Sequence, residues 1–277
     1  MGRVWVNGRL TGEEAAVPAG DPGFLYGEGL FETLAVCRGR PVLPEPHLER
    51  LAASAAWLGL PDPGRKVWLE ALEEVIAANQ VGEGWVRLVL TRGAGGGLAL
   101  VAAGEGRRYP EEHYRRGWRA VISSYRQDQN SPLCRHKTLN FLPHLLARRE
   151  ALARGADEGL HLNLAGEVAE GAYTNVFLVR GGQLVTPPVE SGLLPGVTRA
   201  AVMELAAELG LAVRERPVRP EEFLEAEEAF LTSSLAGVMP LVLVEGRRVG
   251  SGRPGPITLA LGRAYRQRVE SGQDIDR

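Results

Sequence analysis

Lys137 is the residue of this sequence with the clearest capacity for covalent chemistry, in the segment RHKTLNFLPHLLARREALARG (residues 135–155). The chain has 32 lysines and arginines together, but Lys66 and Lys137 are its two lysines. Apolar residues at helical spacing follow Lys137 and predict an amphipathic helix with Pro143 in its first turn. The partial positive charge of a helix N-terminus disfavours an ammonium and favours a nucleophilic amine. A solvated surface lysine is the ordinary alternative.

A carboxylate stands in a second candidate motif, VAEGAYTNVF. Glu170 ends one short predicted strand, and Asn175 opens the next. A solvated turn residue is the ordinary interpretation of such a glutamate. The functional interpretation is that Glu170 pairs with a ring nitrogen of a cofactor.

Three further segments supply groups that bind phosphate. In LLPGVTRAAV a Pro-Gly turn runs into a predicted helix, so Val197 and Thr198 lie at a helix start with unpaired N–H groups. The predicted strand in FLTSS ends in hydroxyls, among them Ser234, and Arg50 lies on a predicted helix in HLERL. Each feature alone is common. Together with an amine and a carboxylate they form the inventory for pyridoxal phosphate.

The sequence predicts that the helices and strands that position these groups form an α+β chain in two halves. The hairpin signal at Asn7-Gly8 and strands near 31–43 and 84–104 surround two amphipathic helices, at 46–60 and 64–79. The polar block EGRRYPEEHYRRG suits a linker. Strands and helices then alternate again. We therefore predict domains at 1–112 and 118–277, the second carrying the lysine and the phosphate-binding groups.

Composition excludes several classes of function. The chain has 277 residues, 44% of them apolar and 24% charged, as in a globular protein. A net charge of −2 gives no attraction for nucleic acid or an anionic membrane, and no apolar run is long enough to span a bilayer. Cys37 and Cys134 lie far apart and form no metal-ligand pattern, so we expect a cytoplasmic protein without a metal.

The residues of these motifs and their order along the chain resemble those of one family. DPGFLYGEGLFETLAV, HLERL, HKTLNFLPHLLARREA, EVAEGAYTNVFLV, LLPGVTRAAV and FLTSSLAGVMPL follow one another as in class IV, fold-type IV pyridoxal-phosphate enzymes. That group contains branched-chain aminotransferases, D-amino-acid aminotransferases and 4-amino-4-deoxychorismate lyases. The resemblance spans nearly the whole chain, and it implies a two-domain α+β fold, a small-molecule substrate and a homodimer.

The resemblance also implies roles for individual residues. Lys137 matches the lysine that forms the Schiff base and moves the proton at the substrate's amine-bearing carbon. Glu170 matches the acid that keeps the pyridinium nitrogen protonated. The expected phosphate ligands are Arg50, Val197, Thr198 and Ser234, and the expected substrate-side residues are Tyr26, Phe31, Arg87 and Arg92.

The segment LTRGAGGGLAL bears on which member of the family this is. Arg87, just before this segment, matches an arginine of branched-chain enzymes, but Leu88 replaces their proline. The arginine and histidine of D-amino-acid enzymes are absent. The glycine-rich turn is most similar to the lyases, although Gly97 or Leu98 stands where a lyase has arginine.

We therefore expect a lyase of folate biosynthesis that converts 4-amino-4-deoxychorismate to 4-aminobenzoate and pyruvate. The alternative is an aminotransferase acting on D-amino acids or branched-chain L-amino acids with 2-oxoglutarate. A non-catalytic binding protein on the same scaffold is a third possibility, and the presence of both Lys137 and Glu170 argues against it.

Overall fold

The computed structural model describes residues 2–12, 14–106 and 109–272. The described chain forms two compact units, which consist of residues 2–106 with 136–140 and 269–272, and of residues 109–135 with 141–268. The lysine segment therefore belongs to the first unit, whereas the predicted division placed it in the second domain. The reason is that residues 136–140 hydrogen-bond to a strand of the first unit.

The first unit is an antiparallel sheet with three helices. Its strands are β1 (Val4–Val6), β2 (Arg9–Thr11), β3 (Gly29–Cys37), β4 (Arg40–Pro41), β5 (Gly84–Thr91) and β6 (Leu98–Glu105), in the order β2-β1-β6-β5-β3-β4. Its helices are α1 (Pro22–Tyr26), α2 (Pro44–Leu58) and α3 (Arg65–Ala78). The predicted β1–β2 hairpin is confirmed, with φ of 45° at Asn7 and 86° at Gly8, both positive as the tight turn requires.

Alternation along the strands sets the two faces of this sheet. On β5, Val86, Leu88 and Leu90 are buried in a core that they share with α2 and α3. Arg87 lies between them in sequence and faces the other side of the sheet. The face away from the helices therefore carries Arg87 and the residues at alternate positions beside it.

The second unit is built on a nine-stranded mixed sheet. Its strands are β7 (Trp118–Gln127), β8 (Glu158–Asn163), β9 (Val168–Gly171), β10 (Asn175–Arg180), β11 (Gln183–Thr186), β12 (Val213–Glu215), β13 (Glu228–Ser233), β14 (Gly237–Val244) and β15 (Arg247–Arg248). The sheet order is β12-β11-β10-β13-β14-β7-β8-β9, with β15 paired to β14. Its helices are α4 (Glu111–Arg116), α5 (Leu142–Ala153), α6 (Val197–Glu208) and α7 (Pro256–Ser271), the last lying in this unit up to Arg268.

Two parts of this unit differ from the predictions. The block predicted as a linker contains α4, held by a hydrogen bond from the Tyr114 hydroxyl to the Ala236 carbonyl oxygen at 2.9 Å; residues 107 and 108 lie outside the described residues. Helix α7 was not predicted. Its first turn is capped by Glu228, whose carboxylate accepts from Ile257 N at 3.0 Å and Thr258 N at 2.8 Å.

Two kinds of feature are absent from residues 2–12, 14–106 and 109–272. In these ranges, no helix is long and apolar enough to cross a membrane. No group of three or more histidine, cysteine, aspartate or glutamate side chains in the same ranges could hold a metal ion.

Candidate active site

The segment that carries Lys137 runs beside strand β3. Phe31 N–H donates to the Lys137 carbonyl oxygen at 2.9 Å, and Leu139 N–H donates to the Gly29 carbonyl oxygen at 2.9 Å. Helix α5 begins at Leu142, and the predicted place of Pro143 in its first turn is confirmed. Lys137 stands five residues before this helix, and backbone pairing with β3 positions it.

The Lys137 amine and the Arg87 guanidinium both lie on the ring of Phe31. Lys137 Nζ is 4.6 Å from the ring centroid, and Arg87 Cζ is 5.2 Å from it. Arg87 also donates from Nε to the Thr33 hydroxyl at 3.0 Å. Thr33 and Arg87 are directly opposite each other on β3 and β5, so these side chains share the sheet face away from the helices. A primary amine and a guanidinium are thus brought together around one aromatic ring.

Arg50 is fixed by a buried carboxylate that sequence reasoning missed. Glu32 accepts from Arg50 Nε at 2.8 Å and from Arg50 Nη2 at 2.7 Å, a two-pronged pair. His47 Nδ1 lies 2.7 Å from the second Glu32 oxygen. His47 and Arg50 are three residues apart on α2, so they share one helix face. The three-residue spacing of His47 and Arg50, together with the charged Glu32 inside an otherwise apolar strand, was the sequence signal that could have revealed this cluster.

The charge states in this cluster follow from its burial and its ion pairs. Burial raises the pKa of Glu32, but the charges and hydrogen bonds of Arg50 and His47 outweigh it and hold this pKa well below the usual range. Burial lowers the pKa of His47, and the positive charges of Arg50 and Lys137 lower it further against the opposing effect of Glu32. His47 is therefore neutral near pH 7 and donates its Nδ1 hydrogen to the ionised Glu32. The influence of Lys137 on His47 also places the amine close to this cluster.

The other two expected substrate-side residues are Tyr26 and Arg92. Tyr26 is on α1 and is 76% exposed. Arg92 is bound within its own loop, where it pairs with Glu28 and donates to the Leu58 and Gly59 carbonyl oxygens at 3.0 and 3.3 Å. Each of its three side-chain nitrogens thus has a protein acceptor, and Arg92 fastens its loop to the end of α2.

Glu170 lies in the second unit, at the position on β9 that the sequence predicted. Its carboxylate is nearly buried, with 5% of the residue exposed. It accepts from Gln127 Nε2 at 3.0 Å, from Leu194 N at 3.1 Å and from Asn175 Nδ2 at 3.5 Å. Donors of this kind stabilise an ionised carboxylate. Gln127 was missed because it stands in the polar run RQDQNS, which is typical of a loop, although β7 extends to this residue.

The expected phosphate ligands of the second unit lie at the ends of two elements. Helix α6 begins at Val197 after Gly196, and no side chain caps it. Its first N–H groups have no acceptor within the helix, and Thr198 in this turn is buried. Ser234 directly follows β13, which ends at Ser233. The helix start is thus where the sequence predicted it.

Comparison with known proteins identifies the family. Residues 29–244 match the family model described as amino-transferase class IV. The Escherichia coli branched-chain-amino-acid aminotransferase is 32% identical over 281 residues, covering 95% of this chain and 91% of that protein. A crystal structure of that enzyme superposes with a TM-score of 0.93 at 31% identity, covering 99% of this chain and 97% of that one.

Two further relatives bear other names. The D-alanine aminotransferase of Bacillus licheniformis is 32% identical over 267 residues, covering 92% of this chain and 93% of that protein. A Legionella pneumophila structure named as a candidate 4-amino-4-deoxychorismate lyase superposes with a TM-score of 0.84 at 29% identity, covering 91% of this chain and 95% of that one.

The chain belongs to the class IV aminotransferase family. The family depends on pyridoxal phosphate, and a related solved structure contains pyridoxamine 5′-phosphate. The predicted α+β fold of fold type IV is confirmed, and so is the predicted cofactor. This protein is a pyridoxal-phosphate-dependent enzyme of class IV.

Proposed function

We propose that this protein is an aminotransferase that transfers the amino group of a D-amino acid or a branched-chain L-amino acid to 2-oxoglutarate. The observation that carries the proposal is the amine and the guanidinium that both lie over Phe31, with Lys137 Nζ at 4.6 Å and Arg87 Cζ at 5.2 Å from the ring centroid. An amine beside a guanidinium suits a substrate with an amino group and a carboxylate. The names of the Escherichia coli and Bacillus licheniformis relatives support this class of reaction.

The chemistry of the candidate residues fits pyridoxal phosphate. Lys137 provides the primary amine that condenses with an aldehyde, a task for which a permanently protonated arginine is unsuited. Glu170 is a buried carboxylate with N–H donors, which suits a protonated ring nitrogen. The uncapped start of α6 at Val197 and Thr198 suits a phosphate group. We also assign Arg50 and Ser234 as phosphate ligands, as the family resemblance implies.

The proposed roles of the protein groups follow from this assignment. When bound, the cofactor stabilises negative charge on the substrate carbon that bears the amine. Glu170 holds the ring nitrogen in its protonated form. Lys137 moves the proton at the amine-bearing carbon of the substrate. Arg87 binds the substrate carboxylate, and the electron-rich face of Phe31 stabilises its guanidinium.

The lyase reaction is a second candidate, favoured by the space beside the glycine-rich turn. A Cβ atom added at Gly95 or Gly96 would meet no atom within 4 Å. This room would admit the enolpyruvyl ether of 4-amino-4-deoxychorismate. The Legionella pneumophila structure supports the same candidate. We rank it second because the relatives in the comparisons are mostly named as aminotransferases.

We extend the proposal to a homodimer. Helix α1 exposes three consecutive large side chains, Phe24 at 70%, Leu25 at 50% and Tyr26 at 76%. Contiguous exposed apolar surface of this kind is typical of a protein contact site. Sedimentation equilibrium tests this extension: a dimer is expected for the wild type, and a monomer would contradict it.

A substrate panel tests the proposed reaction. We would measure kcat/KM for L-leucine, L-isoleucine, L-valine, D-alanine and D-glutamate with 2-oxoglutarate, beside 4-aminobenzoate formation from 4-amino-4-deoxychorismate. The best amino donor should exceed the lyase substrate by at least about tenfold, or about 1.4 kcal/mol in transition-state stabilisation. A lyase efficiency about tenfold above every amino donor would overturn the proposal in favour of the second candidate.

A further inference from the structure

Two amide side chains flank the carboxylate of Glu170, one on each oxygen. Gln127 Nε2 donates to Oε1 at 3.0 Å from the end of β7. Asn175 Nδ2 lies 3.5 Å from Oε2 at the start of β10. Leu194 N also donates to Oε2, at 3.1 Å. The carboxylate is therefore held by groups from three separate parts of the second unit.

Both amides also bind the loop that contains Leu194. Gln127 Nε2 donates to the Gly192 carbonyl oxygen. Asn175 Nδ2 donates to the Leu194 carbonyl oxygen at 2.9 Å. Leu194 thus binds Glu170 through its N–H and Asn175 through its carbonyl oxygen. We call Gln127, Asn175 and residues 192–194 the amide clamp.

The amide clamp leads directly into helix α6. Gly196 precedes the first helical residue, Val197, and a Cβ atom at Gly196 would lie 1.9 Å from Asn175 Oδ1. Asn175 therefore packs against this turn with one atom of its amide and binds Leu194 with the other.

Helix α6 is anchored a second time by a buried arginine. Arg199 Nη2 donates to the Pro187 carbonyl oxygen at 2.9 Å and to Glu215 at 2.6 Å. Its Nε donates to the Thr186 hydroxyl at 3.3 Å. With these bonds and the amide clamp, the start of α6 and the Glu170 carboxylate have little freedom to move relative to each other.

We infer that Gln127 and Asn175 are positioning residues that fix the spacing between the Glu170 carboxylate and the first N–H groups of α6. The inference rests on the proposed cofactor contacts of these two groups. A ring nitrogen and a phosphate group carried on one rigid ring have a set separation, so both contacts form only if the protein matches it. Displacements of about 1 Å at such sites are costly. Loss of either amide should therefore weaken cofactor binding at both ends of the ring.

Isosteric substitutions separate this role from a general contribution to folding. Gln127→Glu and Asn175→Asp keep the side-chain shape, but they replace an N–H donor with an oxygen that faces the Glu170 carboxylate. Two carboxylates in hydrogen-bond contact do not both ionise readily, so the charge at the ring nitrogen should change. Gln127→Met removes the donor without adding charge and replaces Gln127→Glu if that variant does not fold.

Asn163 provides a matched control. It is buried, and its Nδ2 donates to the Ser191 carbonyl oxygen at 3.3 Å, beside the amide clamp. The same Nδ2 donates to Glu167 at 3.2 Å, so Asn163→Asp also creates a carboxylate pair. That pair does not involve Glu170.

The experiment compares the cofactor-loaded wild type with these variants. Three properties are measured: the visible spectrum between pH 6 and 10, the rate at which cofactor passes to an excess of a scavenging apoenzyme, and the melting temperature. Gln127→Glu, Gln127→Met and Asn175→Asp should lose cofactor at least about tenfold faster than the wild type. The two acidic variants should also shift the pH midpoint of the visible absorbance. Asn163→Asp should match the wild type in both properties, even if its melting temperature falls.

Two outcomes would overturn the inference, and they are distinguishable. If the variants melt lower but keep the wild-type rate of cofactor loss and the wild-type pH midpoint, the amides serve the fold alone. If the wild type shows no visible band, the proposed cofactor site fails, and the inference fails with it.

Discussion

Replacing Glu32 by glutamine tests whether the buried carboxylate holds Arg50 in place. The substitution keeps the shape of the side chain and removes its charge. Arg50 would then keep a guanidinium that is only 12% exposed in its side chain but has no ionised partner at Glu32. Two charge-assisted hydrogen bonds, at 2.8 and 2.7 Å, would weaken together.

The expected cost follows from burial. Removing one partner of a buried ion pair costs about 3–5 kcal/mol. Water still reaches part of Arg50, so we expect about 3 kcal/mol, the lower end of that range. At roughly 2–4 °C per kcal/mol for a chain of this size, the melting temperature should fall by about 6–12 °C.

Thermal melts at pH 7.5 measure this effect, with Glu45→Gln as the control. Glu45, on helix α2, forms a comparable bidentate pair with Arg65 at the start of α3, but the two side chains are 33% and 66% exposed. An exposed pair contributes at most about 1 kcal/mol. Glu45→Gln should therefore lower the melting temperature by no more than about 2–4 °C.

The pH dependence has a defined sign. Because the pKa of Glu32 is lowered on folding, its stabilisation is complete above the ordinary value of 4.5 and is lost as pH falls through the folded pKa. The gap between wild type and Glu32→Gln should persist from pH 8 to about 5 and shrink only at lower pH. A Glu32→Gln protein that melts within about 2 °C of the wild type at pH 7.5 would refute the reasoning.

Three further predictions concern separate parts of the chain. Arg87→Met should raise KM for 2-oxoglutarate at least about tenfold and change kcat less, because it removes a carboxylate-binding group; steady-state kinetics that show an unchanged KM would contradict this role. Glu228→Gln should lower stability by about 1–2 kcal/mol, because the buried carboxylate that caps α7 loses its charge, and an unchanged melting temperature would argue against the cap. His47→Asn should reduce the loss of stability as pH falls below 6.5, because burial lowers the pKa of His47 and its neutral form stabilises the fold above that pH; identical wild-type and variant pH profiles would contradict this.

Local sequence patterns correctly predicted those helices and turns whose conformation is set mainly by the residues within them. The hairpin at Asn7-Gly8, helices α2 and α3 and the start of α6 fall where turn residues and apolar spacing place them. The Glu170 position also depends on a short strand and a turn, and it was predicted correctly. These features are local, so a window of some ten residues contains the information.

The missed features depend on contacts between distant parts of the chain. Lys137 was assigned to the second domain because the helix that follows it lies there, whereas backbone pairing with Phe31 places it in the first unit. The interaction of Glu32 with Arg50 joins a strand to a helix. Gln127 reaches a carboxylate that lies 43 residues away in the sequence. No local pattern encodes such pairings.

We propose that Lys137 is the residue that binds the cofactor, and borohydride reduction tests this assignment most directly. Reduction of the cofactor-loaded protein fixes the cofactor to the lysine that holds it, and peptide mass mapping then locates the added mass. Because the chain has two lysines, the added mass can be found only on Lys66, on Lys137, on both or on neither. We expect the label on Lys137 and none on Lys66. A label on Lys66, or an unlabelled Lys137 in protein that carries cofactor, would contradict it.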